Sequence, residues 1–105
     1  MQNEVAVTGL GIISPIGNSI DEFWKNCVNG ATGIGPITHF DASRLESRIA
    51  AEVKNFDPSV WIDRKEARKM ALFSQYAVAA AAQAWLDAGL PDFVQNETLE
   101  NKSDI

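Results

Sequence analysis

Two glycines directly behind a short apolar run, Gly9 and Gly11 after Val5-Ala6-Val7, have the spacing of a loop that carries backbone amides up to a phosphate. In dinucleotide-binding folds such glycines let the main chain approach a pyrophosphate at a helix N-terminus, and a third lets the helix pack closely. Here Ser14 stands at the third place, Pro15 follows it, and the next glycine is Gly17. Proline has no N–H to offer, so helical amides cannot begin where that ligand needs them. Dinucleotide binding is the weaker reading of this loop.

Other groups capable of chemistry are sparse. Cys27 is the only cysteine, so no intramolecular disulfide can form and nothing points to an oxidising compartment. It lies among Phe23, Trp24 and Val28 with no histidine near to stabilise a thiolate, which predicts a buried, inert thiol. His39 is the only histidine; one such ligand makes no metal site, and a loop-packing or surface role is expected. Thr8, Ser14 and Ser43 have no base at a spacing that would activate them. The scattered aromatic residues read as core before they read as an acyl pocket.

Charge is where the sequence is uneven. The 105 residues carry a net charge of -5, yet residues 44–69 hold seven of the nine basic residues against five acids, leaving +2 there and -7 elsewhere. The densest part is Arg64, Lys65, Arg68 and Lys69, in which helical spacing stacks Arg64 with Arg68 and Lys65 with Lys69 in successive turns. Like charges so placed disfavour a helix by a few tenths of a kcal/mol. The bland reading is a solvated helix start partly compensated by Glu66; the sharper one is a docking patch that steers an acidic partner. The acidic total and the lack of aromatic–basic interleaving argue against nucleic acid.

These groups need elements to hold them. Residues 4–8 are small and branched on both faces, as in a strand buried within a layered α/β fold. Ser19 and Glu22 have the capping-box spacing, which predicts a helix over residues 20–29 with Gly30 at its C-terminal end. Residues 31–55 read as loop-rich, with a short strand over 48–53. A short helical segment is expected around Trp61. Asp63 with Glu66 repeats the capping spacing and starts a helix at Arg64. The alanine-rich stretch 70–86 is the strongest helix, expected to be buried, with Gly89 and Pro91 as its stop. Residues 93–104 read as a polar surface connection. An apolar content of 46% suffices for a core. Without a basic leader or a long enough apolar run, a soluble cytoplasmic protein without membrane insertion is expected.

The string Thr8-Gly9-Leu10-Gly11-Ile12-Ile13-Ser14-Pro15-Ile16-Gly17 resembles the opening of the β-ketoacyl-acyl carrier protein synthases, the condensing enzymes of fatty-acid elongation. The likeness continues in family order through Phe23-Trp24, Gly30, Gly33-Ile34-Gly35-Pro36-Ile37, His39-Phe40-Asp41-Ala42-Ser43, Val53-Lys54-Asn55-Phe56-Asp57-Pro58, Asp63-Arg64-Lys65-Glu66-Ala67-Arg68-Lys69-Met70, Gln75-Tyr76-Ala77 and Asp87-Ala88-Gly89-Leu90. Within the family the segment around Gly33 and His39 looks most like the synthase II type. One departure is Ala71, where synthases of that type usually carry Asp.

The resemblance implies a thiolase-like layered α-β-α-β-α fold of which residues 1–105 are the N-terminal segment of the first half. It implies decarboxylative Claisen condensation by a cysteine and two histidines that have no match in this sequence, so no catalytic residue, metal or cofactor is expected here. It also implies homodimerisation, and docking of acyl carrier protein at Lys65, Arg68 and Lys69, with Arg64 beside them. The alternative within the fold is a non-catalytic subunit resembling a chain-length factor.

Overall fold

Local capping rules place the helices of this chain. Ser19 has extended backbone and its Oγ accepts the Glu22 N–H at 3.2 Å, which starts α1, Ile20–Val28. The Glu22 carboxylate reaches back one residue further than the capping box predicts and accepts the Asn18 N–H at 2.9 Å. Past the C-cap Asn29, Gly30 adopts φ +72, and the Gly30 and Ala31 amides donate to the carbonyls of Cys27 and Asn26. This is a Schellman ending, and glycine is the residue that takes the left-handed position without strain.

The computed structural model describes residues 2–91 and divides into two compact units, residues 12–57 and residues 2–11 with 58–91. In the first unit α1 is followed by a two-stranded antiparallel sheet of β1 (Ile34–Pro36) and β2 (Ile49–Ala51), with Gly35 opposite Ala50. The β2 strand falls within the expected segment, whereas β1 occupies residues read as loop on the strength of Gly33, Gly35 and Pro36. A two-stranded ribbon tolerates Pro36 because an edge position does not require its missing N–H. Among the described residues of this unit, Ala42 is the buried apolar side chain.

In the second unit a single 3-10 turn, Pro58–Val60, sits at the expected place before Trp61. Asp63 caps α2 (Arg64–Arg68) by accepting the Lys65 N–H at 3.2 Å. The chain then turns through Lys69 to Ala71 and enters α3 (Leu72–Asp87), which ends in a second Schellman motif with Gly89 at φ +79. The departure from the synthase II pattern falls on the N-cap of α3: Ala71 has the extended backbone of a cap and no side chain to accept an amide. Ile62, Ala67, Ala79 and Ala82 form the buried part of this unit.

Three expectations are corrected. Residues 4–8 form no strand, because a strand exists only with a hydrogen-bonded neighbour and none of the described residues supplies one; Val5 is 90% and Val7 78% exposed. The α3 helix is not buried throughout, since Ala79 and Ala82 alone are fully buried while Phe73, Trp85 and Leu86 are exposed. Cys27 is exposed rather than buried, on a helix that has no buried residue. The expected tail over residues 93–104 lies outside the described residues.

Candidate functional site

Glycines 9 and 11 are committed to a helix. A Cβ on Gly9 would overlap the Ala84 carbonyl oxygen, and one on Gly11 would overlap that of Ala80, so both glycines are needed for the main chain to lie against α3. The Leu10 N–H between them donates to Asp87 Oδ2 at 2.9 Å. The spacing that imitates a phosphate loop is thereby explained by packing.

The basic ridge is built on α2. Arg64, Lys65 and Arg68 are exposed on the helix, and Lys69 follows at its C-cap, also exposed. Ala67, 7% exposed, is the side on which the helix rests. The one compensating acid on the helix, Glu66, lies 3.8 Å from Lys69 with both side chains largely in water. An exposed pair of this kind is worth less than about 1 kcal/mol and leaves the ridge positive. At the far end the Gln75 side-chain amide donates to the carbonyls of Ala67 at 2.9 Å and Met70 at 3.3 Å.

Two further polar constellations lie in residues 12–57. Lys54 Nζ donates to three backbone carbonyls, those of Glu52 at 2.9 Å, Gly33 at 3.0 Å and Pro15 at 3.3 Å. Its own carbonyl accepts from Asn18 Nδ2 at 2.8 Å. Glu52, with 13% of its side chain exposed, accepts the Thr38 hydroxyl at 2.9 Å and the backbone N–H groups of Thr38 and His39 at 3.1 Å, with His39 Nδ1 3.6 Å away. Partial desolvation pushes the Glu52 carboxyl up, but the donors from His39 and Thr38 together with the His39 ring outweigh it and hold the group below its ordinary value. Asp41 is held low by the Ser43 N–H at 3.0 Å and by the Ser43 side chain.

The ridge residues named from sequence therefore stand together, while Cys27 and His39 belong to the other unit and join no catalytic set with each other or with a nearby acid beyond the His39–Glu52 contact. Among the described residues no group of three His, Cys, Asp or Glu side chains is placed to hold a metal ion, and no helix is long and apolar enough to cross a membrane. In the sequence Lys54, Gln75 and Asp87 carry the family likeness without a role of their own, and Glu52 stands out in no motif. Each acts on main-chain atoms brought near by the fold, a relation that leaves no spacing signature.

Comparison with known proteins places these features. Residues 2–99 match the β-ketoacyl synthase N-terminal domain. Over 89 residues the chain is 46% identical to 3-oxoacyl-[acyl-carrier-protein] synthase 2 of Coxiella burnetii and 49% identical to the protein of that name from Synechocystis, covering 85% of this chain in each case and 22% and 21% of those proteins. A solved structure, described as the ishigamide ketosynthase/chain length factor, superimposes with a TM-score of 0.74 at 42% identity over 80% of this chain and 21% of its own. The chain thus spans about a fifth of the length of these relatives.

Proposed function

This chain belongs to the β-ketoacyl synthase family, within the α/β fold of the ketosynthases, and from that membership we propose that it is the N-terminal segment of a synthase of the 3-oxoacyl-acyl carrier protein synthase II kind. In the reaction this implies, an acyl group passes from carrier protein to a cysteine thiolate, a malonyl thioester loses carbon dioxide, and the resulting carbanion attacks the enzyme-bound thioester and releases the thiolate. The cysteine and histidines of that chemistry belong to polypeptide beyond residues 1–105; the synthase works as a homodimer in the cytoplasm. The part carried by this chain is reception of the acyl carrier protein on Arg64, Lys65, Arg68 and Lys69.

The supporting observation is the ridge itself: four exposed cations on one short capped helix and its C-cap, beside the exposed acids Asp63 and Glu66, in a chain that is acidic overall. Such a patch raises the rate of encounter with an acidic partner and makes binding depend on salt. Titration of an acidic acyl carrier protein into the chain tests it. Lys65→Glu with Lys69→Glu is expected to weaken binding at least tenfold in low salt while leaving helical circular dichroism unchanged. Equal affinity in the two forms overturns the docking reading.

A second reading is favoured by the solved ketosynthase/chain length factor at 42% identity: a non-catalytic subunit of the same fold. The two part at the nucleophile's position in the longer polypeptide, where cysteine supports the enzyme and a replacement supports the subunit.

A further inference from the structure

Resting on that docking reading, we propose that Gln75 is a positioning residue for the basic ridge, holding Arg68 and Lys69 at the angle from which they meet the carrier. The α2 helix has five residues, too few to persist on backbone hydrogen bonds alone, since helix nucleation fixes several residues for the first bond. External contacts must set its direction. Asp63 fixes its N-terminus through the Lys65 N–H, and buried Ala67 seats its underside.

The C-terminal end is the one that matters for the last two cations. Helix ends leave carbonyls without an intrahelical donor. The Ala67 carbonyl accepts the Met70 N–H at 3.1 Å, and Gln75 Nε2 adds a second donor to it while also donating to the Met70 carbonyl. Gln75 stands in the first turn of α3, beyond the Lys69–Ala71 turn, so one partly buried amide ties the end of α2 to the start of the next helix. Arg68 and Lys69 lie between its two acceptors in the chain. A shift of that carbonyl pair re-aims both side chains. Gln75 is neutral and donates to main-chain carbonyls, so its removal changes the geometry of the ridge without altering its charge.

The experiment uses the chain, an acidic acyl carrier protein as probe, and Gln75→Met, which keeps the length of the side chain and removes both donors. The expected result has two arms. In the free chain, amides of residues 68–70 exchange at least about tenfold faster while those of α1 do not change. On titration, carrier affinity falls about fivefold and its salt dependence becomes shallower, and Gln75→Met causes a smaller loss when it is made in the Lys65→Glu, Lys69→Glu background. Faster exchange with unaltered affinity and salt dependence shows a purely structural amide and overturns the proposal, as does unchanged exchange. If Gln75→Met loses its helical signal, the wild-type chain decides: the Gln75 side-chain amide resonances must shift with those of residues 68–70 on carrier addition, and static resonances overturn the proposal. Absence of any binding by wild type overturns the docking reading itself, an outcome distinct from equal binding by wild type and Gln75→Met.

Discussion

Replacing Ala71 with Asp should strengthen the start of α3, and the structure sets the size of the effect. Ala71 already has N-cap backbone, φ -64 and ψ 154, and its carbonyl already accepts from Ser74 and Gln75 at 3.0 and 3.1 Å. Only the side-chain acceptor is missing. An Asp there can accept a first-turn amide without moving the main chain, a gain of about 1 kcal/mol, and its charge adds about 0.3–1 kcal/mol against the helix dipole. Together these slow local opening of the first turn roughly tenfold. Amide exchange of Phe73 and Ser74 measures it, with Ala71→Asn as the uncharged control carrying the cap alone. The gain in Ala71→Asp should shrink on acidification as the new carboxylate is protonated, while that of Ala71→Asn stays constant. Unchanged or faster exchange in both variants refutes the assignment of Ala71 as an uncapped cap position.

Gly11→Ala should destabilise the unit of residues 2–11 and 58–91 by about 1–3 kcal/mol, because the new methyl overlaps the Ala80 carbonyl and lies 2.7 Å from the Ala84 nitrogen; loss of exchange protection along α3 reports it. Lys54→Met removes three donors from the Glu52, Gly33 and Pro15 carbonyls, and urea titration of residues 12–57 should register a loss of about 1–2 kcal/mol. Glu52 has a folded-state carboxyl held below its ordinary value, so the stability it adds is present above that ordinary value and is lost as pH falls through the lowered one. The amide shifts of Thr38 and His39 should titrate across that acidic range, and Glu52→Gln should flatten them.

The elements legible in the sequence are those specified by neighbours in the chain. Ser19 with Glu22, Asp63 before Arg64, and Gly30 and Gly89 each act within a few residues, and each marks a helix end where the spacing puts it. The ridge was legible for the same reason, as a four-residue repeat of cations. What the sequence left open depends on partners distant along the chain. The run Val5-Ala6-Val7 has strand composition but no ladder among the described residues, and Pro36 hides a strand whose evidence lies across the ribbon at Ile49. Cys27 sits in an amphipathic helix, and amphipathicity alone does not say which face another element covers.

The Lys54 clamp constrains substitution lopsidedly. Every acceptor in it is a main-chain oxygen, so the arrangement depends on where residues 15, 33 and 52 run rather than on the chemistry of their side chains. At position 54 the tolerance is narrow. A tetrahedral ammonium points three donors in three directions from one atom, whereas the flat guanidinium of arginine spreads its donors in a single plane. Arginine, the usual conservative exchange for lysine, would keep the charge and lose the tripod, so a library of variants at this position should sort by donor geometry instead of by charge.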